Sequence, residues 1–313
     1  MIWLQVLLLI GGLALIVFGA DWLVDGASAI ARKAGISEFV IGLTIVGFGT
    51  SCPELVVSLT GAIQGNADIS VGNVIGSNIF NTLLILGVTA VIAPVAVTRK
   101  NSRRDIPIAL LVTFLFAAFA QTGRKISFYE GVAFLLVFAA YMVYCFKSDK
   151  GAEETAADGG KVRSVWLAVL LVLAGLGGLI FGGNLFVNNA TAIARALGVS
   201  DKFIAITLLA GGTSLPELAT CIVAAAKKKD QLALGNVLGS NVFNILLILG
   251  ASAVVTPIST FSLTWVDLGV LLSSAVVVWL WTYTGHRDRI DRWEAILMLL
   301  GFFGYYAWLF VKL

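Results

Sequence analysis

The sequence predicts an all-α polytopic membrane protein with ten transmembrane helices. They form two inverted five-helix repeats, with helices 2 and 7 discontinuous. Three observations predict this. The 313 residues are 59% hydrophobic and only 12% charged, with a mean hydropathy of +0.96, whereas a soluble domain carries about 25% charged residues. Long apolar segments recur along the whole chain. Residues 42–95 reappear as residues 205–258 without a gap, 24 of the 54 positions being identical.

The apolar segments run at 2–24, 38–64, 69–93, 105–121, 127–146, 165–187, 201–226, 232–256, 264–284 and 293–311. Most exceed the roughly 18 apolar residues that read as a membrane span. The second is longer than a bilayer core requires, so tilt or a break is expected within it. No two-residue alternation runs through the segments, and backbone groups in lipid must bond internally, so they are read as helices and not as a barrel. The first segment lacks a basic leader and its sequence returns mid-chain, so it is read as a true span and not a signal peptide.

Basic residues divide unequally between alternate connections. One set, which includes Arg99, Lys100, Arg103, Arg104, Lys227, Lys228 and Lys229, holds 16, and the other holds five. The positive-inside rule places the first set in the cytoplasm. Both termini are then outside, in a multi-pass protein of the plasma (cell inner) membrane. The organisation expected is a first repeat at 1–147, a cytoplasmic linker at 148–163 and a second repeat at 164–313. With five spans in each half, the second copy must sit upside down relative to the first. Inverted repeats of this kind are a transporter signature, with the binding site near the midplane where the halves meet. A duplication kept only for packing would not concentrate identity at polar positions.

Several function classes are excluded or disfavoured. The net charge of +3 is too small and too scattered for a nucleic-acid partner. Cys52, Cys145 and Cys221 have neither metal-ligand spacing nor a disulfide framework. His286 is the only histidine. No Ser/His, Cys/His or metal-histidine pairing supports an intramembrane enzyme. Inverted discontinuous helices favour alternating access over an open channel. Neither a cofactor nor an obligatory protein partner is indicated.

The polar identities concentrate in two blocks. Gly47-Phe48-Gly49-Thr50-Ser51-Cys52-Pro53-Glu54 lies in the second span, and Ala210-Gly211-Gly212-Thr213-Ser214-Leu215-Pro216-Glu217 in the seventh. Proline has no N–H and clashes one turn back, so Pro53 and Pro216 predict breaks whose freed carbonyls need a partner. Glu54 shares a helical face with Thr50 and Ser51, as Glu217 does with Thr213 and Ser214. A carboxylate at the bilayer centre costs about 2.5–3.5 kcal/mol. Protonation relieves that cost, and so does a bound cation. In the following span Asn73, Ser77 and Asn81 recur every four residues, mirrored by Asn236, Ser240 and Asn244. They form a polar stripe that either binds a ligand or hydrogen-bonds between helices; the second reading is preferred for Asn78 and Asn241. The donors are carboxylate, amide, hydroxyl and carbonyl oxygens, a set that suits hard cations such as Ca²⁺. Two glutamates balance one Ca²⁺ or two Na⁺.

The paired G-T-S-x-P-E and G-N-x-x-G-S-N-x-x-N blocks resemble the alpha repeats of the sodium/calcium exchanger family, within the calcium/cation antiporter superfamily. The likeness is to short prokaryotic members and covers all ten segments. It implies exchange of Na⁺ for Ca²⁺, with Ca²⁺ between Glu54 and Glu217 and carbonyls supplied by Thr50 and Thr213. It implies Na⁺ sites at Ser51, Ser77, Ser214 and Ser240, further carbonyls from Gly47 and Ala210, and spans one and six sliding over a fixed core. Asn244 stands where K⁺-dependent and some prokaryotic members carry Asp, which argues against K⁺ co-transport. H⁺- or K⁺-coupled Ca²⁺ exchange is the alternative. Asp21 and Asp25, opposite Asn184 and Asn188 in the second repeat, are read as a solvated helix end and not as an ion vestibule. The Glu153-Glu154 and Asp158 run reads as a plain linker.

Overall fold

A computed structural model describes residues 2–65, 67–121, 123–148, 164–199, 210–260, 263–284 and 288–312. Most of the predicted linker, residues 201–209 of the predicted seventh segment and His286 lie outside the described residues.

The described chain is all-helical apart from four two-residue strands. Its long helices are α1 (Ile2–Ala34), α4 (Ile69–Ile92), α5 (Asn101–Gln121), α6 (Phe128–Ser148), α7 (Val165–Ala196), α10 (Asp230–Val255) and α12 (Arg292–Lys312). These seven are long and apolar enough to cross a membrane. An eighth span arises if α2 (Glu38–Thr50) and α3 (Cys52–Ile63), which meet at a bend of 48°, are taken as one. The single turn α8 (Ala210–Gly212) and the shorter apolar helices α9 (Leu215–Ala226) and α11 (Trp265–Trp281) complete the set.

Helix α1 runs ten residues beyond the apolar stretch expected at 2–24. Hydropathy falls at Asp21 and Asp25, but nothing there breaks the backbone. The helix stops where Gly35 takes φ +63°, and α7 stops before its counterpart Gly198 at φ +80°. That left-handed position ends helices and suits glycine.

Helices α1 and α7 are packed backbone to backbone. A methyl group added at Gly19 would lie 2.8 Å from the Gly175 carbonyl, one at Gly12 2.9 Å from that of Gly182, and one at Gly26 2.7 Å from that of Ala168. The partner numbers fall as the others rise, so the pair is antiparallel. A small residue recurs every seventh position on both helices, the period of a left-handed supercoiled seam. Around the core, α2 and α10 touch in the same way: a Cβ at Gly235 would strike the Phe39 carbonyl, and one at Gly239 that of Leu43.

The centre of the protein is α4 and α10, with Val71, Val74, Ile79, Leu86, Leu234, Val237, Leu246 and Leu249 all buried. The outer helices turn Leu7, Leu111, Leu136, Leu170, Leu173 and Leu300 outward. So much exposed apolar surface is a lipid-facing exterior. Trp3 and its counterpart Trp166 are 82% and 83% exposed at the starts of α1 and α7, as interfacial tryptophans are.

Two short ladders were not expected from the sequence. Val95–Ala96 pairs antiparallel with Arg289–Ile290, and Lys125–Ile126 with Ile258–Ser259. Val95 and Ile258 are counterparts at the repeat offset of 163, so each ladder ties one half of the chain to the other. Two residues are too few to show a strand alternation.

Candidate cation site between the broken helices

The first break falls at Ser51, with φ −83° and ψ 5°, and the second at Ser214, with φ −90° and ψ 7°. Both serines sit in the sparsely populated bridge region. Pro53 and Pro216 occupy the first turn of the helix that follows. A missing N–H costs nothing there, so each proline starts a new half-helix instead of kinking an old one. Glu54 and Glu217 are then the third residues of α3 and α9. They stand at helix N-termini, where the backbone dipole favours negative charge.

This placement brings the halves together crosswise. Ser51 Oγ donates to Glu217 Oε1 at 3.1 Å, and Ser214 Oγ donates to Glu54 Oε1 at 3.0 Å. Ser77 Oγ lies 3.5 Å from the same Glu54 oxygen and 3.4 Å from Ser214 Oγ. Thr50 Oγ1 donates to the Val46 carbonyl at 3.0 Å and lies 3.2 Å from Asn236 Oδ1. Ser240 Oγ is 3.5 Å from the Gly47 carbonyl. Both glutamates are only 1% exposed, and neither points to lipid.

The asparagine stripes divide by role. Asn73 Nδ2 donates to the Glu54 carbonyl at 3.1 Å and to Ser58 Oγ at 2.9 Å, which pins α3 to α4. Asn236 Nδ2 reaches Cys221 Sγ at 3.3 Å, which pins α9 to α10. Asn244 Nδ2 donates to Asn78 Oδ1 at 2.9 Å, Asn78 Nδ2 to the Asn241 carbonyl at 3.3 Å, and Asn241 Nδ2 to Thr82 Oγ1 at 2.8 Å. The preferred reading of Asn78 and Asn241 as interhelical bonds therefore agrees with the geometry. Asn81 and Asn244 lie in widened π-helical turns, Phe80–Ile85 and Phe243–Leu249; two more such turns span Gly42–Val46 and Asn101–Asp105. Such turns concentrate at functional sites, and no sequence signal announced them.

Several buried oxygens have no hydrogen-bond partner among the described residues: Glu54 Oε2, Glu217 Oε2, Asn81 Oδ1, Asn244 Oδ1 and Thr213 Oγ1. An orphaned buried acceptor costs about 1–3 kcal/mol, more when charged, so a cluster of them is a cradle for something positive. Among the described residues no three His, Cys, Asp or Glu side chains group as a metal site. The oxygens gathered at the two breaks are two carboxylates with hydroxyl, amide and carbonyl groups around them, a chemistry that suits a hard ion. Ala210 opens the turn α8 ahead of the second break. The cover of the cluster is the sixth span, one of the two that the resemblance implies slide over the core. Helix α7 lies over both breaks, with Leu176 against Gly49 and Val187 against Gly212.

Comparison with known proteins gives the same direction. The chain is 34% identical to the sodium/calcium exchanger MaX1 of Methanosarcina acetivorans, over 99% of each chain. It is 37% identical to the inner membrane protein YrbG of Escherichia coli, over 80% of this chain and 79% of the relative. Solved structures of the sodium-calcium exchanger NCX_Mj superpose over nearly the whole chain at 34% identity. The form soaked with zero Na⁺ and Ca²⁺ does so with a TM-score of 0.87 over 99% of this chain and 100% of that one. The form soaked with 2.5 mM Na⁺ and 0.1 mM Ca²⁺ gives 0.86 over 98% and 99%. The family profile described as sodium/calcium exchanger protein matches residues 4–147 and 167–311. With its apolar helices, its doubled motif and this match across both halves, the chain belongs to the sodium/calcium exchanger family: it is a membrane-embedded cation antiporter and not an enzyme.

Proposed function

We propose that this antiporter exchanges Na⁺ for Ca²⁺ by alternating access, at one site shared by its two halves. The observation that carries the reading is the crosswise pair: each glutamate takes a hydrogen bond from the other half's serine on one oxygen, and its second, buried oxygen has no hydrogen-bond partner among the described residues. One Ca²⁺ between Glu54 and Glu217 neutralises both charges. Na⁺ ions at Ser51, Ser77, Ser214 and Ser240 draw on the same carboxylates, with Asn81, Asn244 and the carbonyls of Gly47, Thr50, Thr213 and Ala210 supplying neutral oxygens. The two substrates compete for these carboxylates, and that competition couples their movements. Asn73 and Asn236 brace this cage from the next helix.

The NCX_Mj structures soaked with Na⁺, Ca²⁺ or Sr²⁺ support these ions as substrates. The full reading is ten spans in two inverted repeats, 1–147 and 164–313, joined by a cytoplasmic linker, with both termini outside and the protein in the plasma membrane. The 16 to 5 division of basic residues supports that orientation. A third Na⁺ per cycle would make exchange electrogenic, at about 2.3 kcal/mol per charge per 100 mV, and would drive Ca²⁺ extrusion.

The test is purified protein in liposomes loaded with Na⁺ and diluted into ⁴⁵Ca²⁺. Uptake that follows the Na⁺ gradient is expected. Uptake driven only by a pH gradient or requiring K⁺ would replace Na⁺ as the coupling ion, and flux without any counter-ion would indicate a channel.

A further inference from the structure

The turn that follows α9 reads Lys227-Lys228-Lys229. Lys228 takes φ +58°, and the lysines on either side reach different helices. Lys227 Nζ lies 2.7 Å from Asp21 Oδ1 and 2.6 Å from Asp25 Oδ1, one turn apart on α1. Lys229 Nζ lies 2.9 Å from Glu38 Oε1, at the start of α2. The aspartates expected to form a merely solvated helix end therefore clasp a cation. The Lys227 side chain is 29% exposed. Partial burial disfavours the ammonium, but its bonds to Asp21 and Asp25 outweigh that, and its pKa lies above the ordinary lysine value.

Three observations give the clasp a consequence. First, α1 and α7 form one unit through their glycine seam, and α7 is the helix that covers Gly49 and Gly212 beside the site. Whatever holds α1 therefore holds the cover. Second, the clasp joins α1 to the end of α9, the half-helix that carries Glu217. Third, the repeat symmetry is broken here. The counterparts of Asp21, Asp25 and Lys227 are Asn184, Asn188 and Gln64, all uncharged. The packing is unequal in the same sense: α1 packs along α9, whereas among the described residues α7 makes no comparable packing along α3.

We propose that Lys227, with Asp21 and Asp25, is a one-sided latch that holds the α1–α7 unit against α9 and keeps the site shut at the Lys227 end. The proposal rests on the antiporter reading for its effect on transport, but not for the gate itself. It makes Lys227 a positioning residue, acting through α1 on access and touching no ion. Because the other end has no charged equivalent, the latch biases the resting protein toward the form open at the opposite face. A state occupied only fractionally binds with an apparent affinity reduced by that fraction, so the bias shows as unequal apparent affinities at the two faces.

The experiment compares wild type, Lys227→Gln, the swap Lys227→Asp with Asp25→Lys, and Lys228→Gln as an exposed-charge control. Half-saturating Ca²⁺ for exchange is measured from each face in oriented vesicles. In parallel, membrane-impermeant maleimide labelling of Cys52, a partly exposed thiol beside the site, is timed from each face and needs no transport. A partly exposed ion pair of this kind shifts a population by about two- to fivefold. Lys227→Gln is expected to lower half-saturating Ca²⁺ by that factor at the Lys227 face only, and to speed labelling from that face. The swap should restore both, and Lys228→Gln should change neither. Equal shifts at both faces, or no shift in either readout, overturns the latch while leaving exchange intact. Changed labelling in a protein that moves no Ca²⁺ against Na⁺ keeps the latch and overturns the substrate assignment.

Discussion

Replacing Glu217 by Gln separates a binding carboxylate from a structural one. The amide keeps a carbonyl where Ser51 donates at 3.1 Å, so the crosswise bond survives. What disappears is one of the two formal charges in the centre of the site. Removing one partner from a buried charge interaction costs about 3–5 kcal/mol, and every 1.4 kcal/mol is tenfold in affinity. Ca²⁺ affinity should fall by two to four orders of magnitude. The empty protein gains instead, because a carboxylate in the membrane interior costs about 2.5–3.5 kcal/mol and the neutral amide avoids most of that. Thermal unfolding in detergent, with and without Ca²⁺, reads both effects. Wild type at a hundred times its Kd gains about 2.7 kcal/mol, a rise of several degrees in Tm. Glu217→Gln should unfold at or above the wild-type temperature without Ca²⁺, gain nothing from Ca²⁺ at that concentration, and fail to exchange. Glu54→Gln should behave alike. A variant that still exchanges, or whose Tm still climbs with Ca²⁺ as in wild type, refutes the shared-carboxylate site; a variant that is less stable when empty shows that the glutamates are structural.

Three further outcomes follow from the geometry. Ser51→Ala and Ser214→Ala each remove a hydroxyl that donates to the opposite half's glutamate, an interaction worth about 1.5–3 kcal/mol. Each should weaken Na⁺-dependent exchange about ten- to a hundredfold, and by similar amounts, in vesicle flux. Gly19→Ala puts a methyl 2.8 Å from the Gly175 carbonyl and the Leu179 amide and should cost about 1–3 kcal/mol of stability; Gly269→Ala, with nothing within 4 Å, is the neutral comparison in the same melt. A small thiol reagent should block transport through Cys52 and leave Cys52→Ser untouched, because Cys145 and Cys221 are buried; wild-type flux after confirmed Cys52 modification would remove that residue from the entry path.

Much of the site could be read from the chain, because its chemistry is costly in lipid. A glutamate, a serine and a proline amid apolar residues have few reasons to be there, and a second copy at a constant offset removes most of the rest. That is why Glu54, Glu217 and their neighbouring hydroxyls could be picked out without coordinates, and why Pro53 located the first break to within two residues. The partners could not be read. Nothing local says that Ser51 bonds Glu217 instead of its own Glu54, or that Asn73 and Asn236 turn their amides onto the backbone and Cys221.

The sequence by itself determined that this is a duplicated, lipid-embedded helical chain with paired carboxylates, since composition, apolar length and repeat offset are properties of residues taken in order. The tertiary fold alone set the crosswise pairing, the π-helical turns that hold Asn81 and Asn244, the contacts of Leu176 and Val187 on α7 with Gly49 and Gly212, and the clasp of Lys227 on Asp21 and Asp25. Each of these joins residues far apart in the chain, or turns on a one-residue widening of a helix. Side-chain distance is set by how the backbones approach, here through glycines whose lack of a Cβ carries no hint of which partner they face.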